Sequence, residues 1–211
     1  MTIDFQVQRD VLFAFTTPIA QIGVPEAGAI NGPLKEEILR RAAETKGQVR
    51  SNVGGWHSDD DIFDWPLEAV SILAESARLS VDRMMALVNQ TANVETRQTL
   101  KGWANVCRRG HYHQPHSHAT YHWSGVYYVD AGEDSDEFAK SGNLEFQDPR
   151  GAVEMSGTPG NPFGRSVAVK ARSGVMVLFP SWLLHWVNPY QGESERVSIA
   201  FNSRVDHFRK R

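Results

Sequence analysis

Hydrophobic residues in the first part of the chain recur at the three- and four-residue spacing of amphipathic helices. One helix is predicted to begin at Pro33, because the fixed φ angle of proline suits the first helical position. Its buried face is predicted to consist of Leu34, Ile38, Leu39 and Ala42. A second helix is predicted from Pro66 to Asn89, with apolar positions at Leu67, Val70, Leu73, Ala77, Val81, Met84, Met85 and Val88. Before them, residues 11–20, VLFAFTTPIA, predict a strand that ends at Pro18.

After residue 95 the spacing changes to the alternation and short apolar runs of β-strands. The runs are LKGWANVC, HWSGVYYVD, GNLEFQDPR, RSVAVKA, GVMVLFPS, LLHWVNPY and ERVSIAFN. Many short strands separated by turn residues predict a β-sandwich or barrel. We therefore predict a mainly β chain with N-terminal helices, folded as a single domain over residues 1–211. In it, an N-terminal strand and helical layer, residues 1–95, packs on a β core, residues 96–205.

Two long connections interrupt the predicted β core, at residues 131–142 and 156–166. Loops of this length in a compact domain are often rim or lid elements, so we expect them to determine the substrate. The first carries an acidic run, Glu133, Asp134, Asp136 and Glu137. Such a run would favour a cationic substrate, although most acidic runs are solvated faces.

The composition is that of an ordinary globular protein, and it narrows the classes of function. The chain is 41% hydrophobic and 22% charged, with a formal net charge of −3. Without a basic patch, sequence-independent nucleic-acid binding is not indicated. No segment approaches the ~20 apolar residues of a membrane span, and the run VLFAF is too short for a signal peptide. The single cysteine, Cys107, excludes an internal disulfide framework and favours a reducing cytoplasm. The oligomeric state stays open, with a homodimer through the N-terminal helices as one option.

Five of the eight histidines lie within residues 108–130, where they lead into a strand. Side chains alternate along a strand, so the pair His116 and His118 can present two imidazole nitrogens to one metal ion. The pair His111 and His113 could do the same, but Pro115 interrupts the register between the two pairs.

A third ligand would have to come from elsewhere, and His185 is the best candidate. It lies in the apolar stretch LFPSWLLHWV, where an imidazole without a polar partner would be costly. The alternative is a core histidine bonded to a backbone carbonyl. His57 and His207 are expected to be ordinary loop and tail histidines. For His111, His113 and His122, support of the ligands, substrate contact and a solvated rim all stay open.

Arg196 and Ser198 are two residues apart on a predicted strand, so the guanidinium and the hydroxyl share a face. The planar fork of arginine suits a carboxylate, because it can bind both oxygens. The alternative is a surface ion pair with Glu193 or Glu195.

These motifs together resemble the 2-oxoglutarate/Fe(II)-dependent oxygenases, and more closely a bacterial and phage branch of that family. The resemblance runs through TPIAQIGVP, SNVGGWHS, SGVYYV, LEFQDPR, LFPSWLLHWVNP and RVSIAFN, and so covers most of the chain. It implies a double-stranded β-helix, or jelly roll, with helices packed outside. It also implies Fe(II), 2-oxoglutarate and O₂, with oxidation of a small-molecule or peptide substrate that the sequence does not identify. The co-substrate would leave as succinate and CO₂.

The resemblance further implies that His116, His118 and His185 are the metal ligands and catalytic residues. The usual arrangement is two histidines and one carboxylate, and here His118 stands at the carboxylate position. Three histidines also suit zinc, so the ligands alone do not choose the metal.

For the co-substrate, the resemblance implies that Arg196 and Ser198 bind the distal carboxylate. Further hydrogen bonds are expected from Asn105, Asn202 and one of the neighbours Tyr127 and Tyr128, with Tyr127 as the candidate. Two alternatives remain: a three-histidine, cupin-like dioxygenase that does not use 2-oxoglutarate, and a non-catalytic jelly roll that binds a metal or a carboxylate.

Overall fold

The computed structural model describes residues 4, 6–12, 14–151 and 164–210. Most of the second predicted loop, residues 156–163, lies outside these ranges. The helices of the described residues are α1 (Val7–Asp10), α2 (Ala27–Glu44) and α3 (Glu68–Val88), with a single 3₁₀ turn at Ile62–Asp64. None of these described helices is both long and apolar enough to cross a membrane.

The two long helices bury the apolar faces that their periodicity predicts, but α2 begins earlier than expected. It starts at Ala27, so Pro33 lies inside the helix and not at its first position. A proline there removes one backbone hydrogen bond of the helix. The helix continues because Ile30 and Leu34, on either side of the proline, are both buried against the core. Helix α3 begins two residues after Pro66, close to its predicted start.

Eleven strands follow one another along the described part of the chain. They are β1 (Ala20–Gly23), β2 (Asn52–Val53), β3 (Trp56–His57), β4 (Val94–Cys107), β5 (Tyr112–His116), β6 (Trp123–Asp130), β7 (Leu144–Gln147), β8 (Ser166–Val169), β9 (Val175–Pro180), β10 (His185–Val187) and β11 (Arg196–Lys210).

Within the described ranges these strands form two facing sheets whose strand pairs are antiparallel. One has six strands in the order β1-β9-β6-β11-β4-β3, and the other has five in the order β2-β5-β10-β7-β8. Side chains from both sheets meet in one apolar cluster, which includes Phe179 of the first sheet and Phe146 of the second. The architecture is the double-stranded β-helix with external helices that the sequence predicts.

Alternation divides each long strand of the six-stranded sheet into two faces. On β11, Val197, Ile199 and Phe201 share an apolar cluster with the buried faces of α2 and α3. The intervening residues face the second sheet and line a cavity, and they are Arg196, Ser198, Ala200 and Asn202. The same alternation applies to β4 and β6, so one face of this sheet stabilises the fold while the other forms a site.

Two expectations about the connecting segments are wrong. Residues 11–18 do not form a strand: Leu12 is exposed, and pairing begins only at Ala20, which lies opposite Leu178. The acidic loop 131–142 does not border the cavity, since none of its residues lines it. The backbone N–H of Glu133 instead donates to the Tyr190 hydroxyl, and Gly142 lies against the Arg196 side chain. This loop therefore covers the Arg196 end of the barrel.

Candidate metal centre and adjoining cavity

Three histidines from the five-stranded sheet and the loop after β5 converge on one point. The ligand atoms of His116, His118 and His185 all lie within 4.8 Å of one another. His116 ends β5 and His185 begins β10, and the two residues are directly paired across these strands. The backbone N–H of His118 donates to Ser181 O at 2.8 Å, which fixes the third imidazole beside the other two. Among the described residues, no other group of His, Cys, Asp or Glu has this geometry.

The hydrogen bonds of two of these rings determine which nitrogen is free. His116 Nδ1 lies 2.7 Å from Gln114 O, and His185 Nδ1 lies 2.7 Å from Leu183 O. A carbonyl oxygen can only accept, so both Nδ1 atoms carry the proton and both Nε2 atoms keep a lone pair. This is the way in which proteins usually orient histidine metal ligands.

The environment also keeps the three rings neutral. Burial lowers the pKa of His118 to about 4 and that of His185 to about 3, and it also lowers the pKa of His116. Neutral imidazole is the form that binds a metal. With no carboxylate in the group, all the protein ligands would be uncharged.

The triad borders a cavity of about 450 Å³ that extends between the two sheets. Strand register orders the lining from one end to the other. Arg196 lies opposite Cys107 at the closed end, Ser198 lies opposite Asn105, and Ala200 lies opposite Trp103. The Trp103 ring is 5.7 Å from the His118 ring, so the triad lies beside the middle of this series.

At the closed end lies a buried cation for which the described residues supply no counterion. Arg196 is 1% exposed, and its Nε and Nη2 atoms have no hydrogen-bond partner among the described residues. The hydroxyl of Tyr128 and the Oδ1 atom of Asn105 are likewise buried without a partner there. The Arg196 guanidinium lies over the Tyr128 ring at 5.0 Å. A buried guanidinium of this kind needs an anion, and the planar edge formed by Nε and Nη2 suits a carboxylate.

His113 forms part of the wall between the triad and Arg196. It is buried, its Nε2 atom lies 3.8 Å from Cys107 Sγ, and its Nδ1 atom lies 3.5 Å from Ser51 Oγ. Burial first, and the nearby Arg196 charge second, lower the pKa of His113 to about 3. His113 is therefore a neutral wall of the cavity and not part of a solvated rim.

The structure separates the two tyrosines that the sequence could not. Tyr127 faces the helices, where its hydroxyl donates to Asn31 Oδ1, so it does not reach the cavity. Tyr128 points to the Arg196 side. The candidate for co-substrate contact is therefore Tyr128 in place of Tyr127. Asn105, Ser198 and Asn202 all line the cavity.

His57 is a cavity residue that the sequence interpretation missed. It is buried, its Nδ1 atom donates to Ser58 O at 2.6 Å, and its ring stacks on Trp103 at 5.4 Å. The available signal was its position beside an aromatic residue after two glycines, which form the turn before β3.

His111 and His122 stabilise the chain locally. His111 Nδ1 accepts a hydrogen bond from the backbone N–H of Arg108, and His122 Nδ1 accepts one from Val205. His207 is exposed on β11. Of the five clustered histidines, the structure thus brings His113, His116 and His118 to the cavity.

Comparison with known proteins adds a family and a fold. Residues 101–202 match the family model described as "Putative 2OG-Fe(II) oxygenase". This range includes all three histidines of the triad, Arg196 and Ser198. No curated protein sequence matches the chain.

Solved structures of similar fold cover nearly the whole chain at low sequence identity. A prolyl-4-hydroxylase from Pseudomonas putida is 18% identical with a TM-score of 0.61, covering 91% of this chain and 95% of its own. A prolyl hydroxylase from Trichoplax adhaerens is 14% identical with a TM-score of 0.60, covering 88% and 83%. HygX from Streptomyces hygroscopicus, solved with nickel and 2-oxoglutarate bound, is 16% identical with a TM-score of 0.59, covering 90% and 84%. At these identities the likeness concerns the fold.

Proposed function

We propose that the chain, whose residues 101–202 match the 2OG-Fe(II) oxygenase family model, is an iron- and 2-oxoglutarate-dependent oxygenase with a three-histidine metal site. The observation that carries the proposal is the pairing of a metal-binding triad with an unpartnered, buried arginine in one cavity.

The residues present suit a divalent metal ion. His116, His118 and His185 would hold it, because their ligand atoms converge and two of the Nε2 lone pairs are directed by carbonyl partners on Nδ1. Three protein ligands leave coordination positions free for a chelating co-substrate and for O₂.

The closed end of the cavity suits the distal carboxylate of 2-oxoglutarate. Arg196 offers two unpartnered nitrogens, Nε and Nη2, and the Tyr128 hydroxyl lies beside it without a partner among the described residues. Ser198 is one position nearer to the triad on the same face of β11. A carboxylate at this point would satisfy donors that are otherwise buried at a cost.

When bound, Fe(II) with 2-oxoglutarate and O₂ supplies the oxidation of a C–H bond, with succinate and CO₂ as co-products. The protein contributes orientation and exclusion of water. Arg196 and Tyr128 fix one end of the co-substrate. His113 and Phe179 form dry walls around the triad, and the backbone carbonyls of Gln114 and Leu183 hold two of the ligand rings in place.

His118 at the carboxylate position changes the charge of the centre. Three neutral ligands leave the metal site one unit more positive than two histidines and a carboxylate would. That extra charge favours the dianionic co-substrate, so the substitution is compatible with the proposed chemistry. It also admits zinc, which makes the identity of the bound metal part of the test.

The first test is an anaerobic titration of the Fe(II)-loaded protein with 2-oxoglutarate, followed by its visible absorption spectrum. Metal analysis before the titration gives the stoichiometry of iron. We expect a saturable charge-transfer band. His118→Ala should weaken iron binding at least tenfold, since a ligand should matter no less than its supporting shell. His118→Asp, which restores a carboxylate, should retain iron and the band.

Two other outcomes of this titration would contradict the proposal. If iron binds but no charge-transfer band appears, 2-oxoglutarate is excluded as the co-substrate. That result would favour a dioxygenase that binds its substrate directly to the metal. If wild-type protein binds iron no more tightly than His118→Ala does, the three histidines are not the metal site.

We also propose that the protein acts in the reducing cytoplasm. Its one cysteine, Cys107, is a free and buried thiol. Cell fractionation tests this location directly.

A further inference from the structure

The cavity has a second end beyond the triad, and strand register locates it. Asn202 lies opposite Lys101, six residues along β11 from Arg196. At about 3.4 Å per residue, this separation is roughly 20 Å. Trp103, which lies beside His118, falls between the two ends. Asn202 and Lys101 are therefore on the far side of the triad from the proposed co-substrate site, where a substrate would enter.

At this end a buried amide presents an unused donor. Asn202 is 3% exposed and lines the cavity. The Ser124 hydroxyl donates to Asn202 Oδ1 at 2.6 Å, so the oxygen is occupied. No described residue accepts a hydrogen bond from the Asn202 amide nitrogen. The amide is thus held by β6 with its N–H groups available to the cavity.

Two cations flank the same end, and neither is held in an ion pair by the described residues. Lys101 and Arg50 both line the cavity, and neither forms an ion pair with any carboxylate in the described part of the chain. Gln114 N donates to Ser51 O at 2.8 Å, which places Arg50 alongside the segment that leads to His116. Lys101 and Arg50 therefore approach the mouth from opposite sheets.

One carboxylate is nearby and lowers this positive charge in part. Asp60 also lines the cavity, and the bridge between Asp61 and Gly102 places it beside Lys101. Two cations and one carboxylate leave the mouth with one net positive charge. The acidic loop 131–142 adds nothing here, because it lies at the Arg196 end.

We propose that the open end of the cavity binds an anionic group of the substrate, a carboxylate or a phosphate, between Lys101, Arg50 and the Asn202 amide. The inference rests on the proposed function, because it assigns this anion to the substrate. Asn202 is then a residue of substrate recognition and not of co-substrate binding.

The test uses inorganic phosphate and acetate as probes of the Mn(II)-loaded protein with saturating 2-oxoglutarate. Mn(II) shortens the relaxation of nearby nuclei, so ³¹P of phosphate and ¹³C of acetate report binding beside the triad. We expect saturable relaxation. Lys101→Gln should weaken it about threefold to fivefold, as for a partly exposed charge pair. Asn202→Asp should weaken it further, because it puts a carboxylate in place of the donor.

Two further variants serve as controls: one should strengthen probe binding, and the other should leave it unchanged. Asp60→Asn should strengthen binding of both probes, because it removes the one carboxylate that the described residues place at the mouth. Arg97→Gln lies on β4 outside the cavity and should change nothing. Stronger binding of phosphate than of acetate would indicate a phosphate-bearing substrate, and the reverse order a carboxylic acid. Equal relaxation in wild type, Lys101→Gln and Asn202→Asp would overturn the proposal.

A second measurement does not depend on the metal. In the metal-free chain, phosphate at constant ionic strength should slow acylation of Lys101 by acetic anhydride, but not that of exposed Lys46, as measured by peptide mass spectrometry. Protection that persists in Asn202→Asp, or no protection at all, counts against the anion site. If wild-type protein binds no metal while Lys101 is protected, the proposed function fails and the anion site stands.

Discussion

The partners of each ring nitrogen separate the histidines of this chain into different roles. In His116 and His185, Nδ1 donates to a backbone carbonyl and leaves Nε2 for a metal. In His111 and His122, Nδ1 accepts from a backbone N–H and stabilises a turn or a strand end. Spacing in the sequence could propose the pair that shares a strand face. It could not supply these partners, because they come from residues whose backbone approaches only after folding.

His113 makes the clearest prediction at the scale of one residue. Its folded-state pKa is about 3 because it is buried, against 6.5 in an exposed histidine. The unfolded chain therefore binds an extra proton between these values, and stability falls as the pH falls through this window. For His113→Gln, the free energy of unfolding should change with pH less steeply, by about 1.4 kcal/mol per pH unit for one proton.

Urea unfolding of metal-free protein from pH 4 to pH 7 measures this difference. His118 and His185 contribute to the slope of both proteins, so the comparison isolates His113. His207→Gln, on the exposed arm of β11, is the matched control for the removal of an imidazole. Parallel pH profiles for wild type and His113→Gln would contradict the assignment.

Among the elements, the strands were more predictable than the segments between them. Alternation in HWSGVYYVD and ERVSIAFN gave the strands β6 and β11 because each must bury one face against the helices. The same pattern left open which of Tyr127 and Tyr128 faces the cavity. Residues 11–18 failed as a strand because an apolar run needs a partner edge, and β9 pairs with β1 only from Ala20 onward.

Two glycines provide an element-scale prediction with opposite signs. Gly125 on β6 lies opposite Phe201, and a Cβ there would lie 2.3 Å from the Phe201 ring. Gly125→Ala should therefore destabilise the fold by about 1–3 kcal/mol through overpacking. Gly28 lies in the first turn of α2 with open space around its missing Cβ. Gly28→Ala should stabilise by roughly 0.5 kcal/mol, since alanine has a higher helix propensity than glycine.

Chemical denaturation of both variants, with equal m-values as a check of two-state behaviour, measures these changes. A neutral Gly125→Ala would mean that Phe201 can move away from β6. In that case the apolar face between the six-stranded sheet and the helices would be less tightly packed than its register indicates.

For the molecule as a whole, the important property is that the two ends of its cavity differ. Arg196 lies at the closed end, and Asn202 and Lys101 lie at the open end. The acidic loop 131–142 looked like a rim from the sequence, because its length and composition are those of a lid. It covers the opposite end, because Tyr190 and Arg196 draw its backbone to the closed side. The chain order of loops does not say at which end of a barrel each one lies. Strand register shows at which end each residue lies, and so distinguishes the proposed co-substrate end from the proposed substrate end.

Substitution of Arg196 tests whether the closed end binds the co-substrate, and the readout is the stability of the whole fold. A buried guanidinium with two unpartnered nitrogens contributes little to the folded state and costs desolvation. Arg196→Met should therefore keep the stability of the ligand-free protein within about 1 kcal/mol of wild type, because an apolar side chain of similar length replaces it.

The ligand-bound protein should respond differently. At 100 times its dissociation constant, 2-oxoglutarate added to the Mn(II)-loaded wild type should stabilise by about 2.7 kcal/mol. For a chain of this size, that corresponds to a rise in Tm of about 5–10 °C. Arg196→Met should keep the rise caused by the metal and lose the rise caused by 2-oxoglutarate. If the variant is several kcal/mol less stable without ligand, Arg196 has a structural role. If instead it keeps the 2-oxoglutarate increment, the distal carboxylate binds elsewhere and the closed end has lost its proposed occupant.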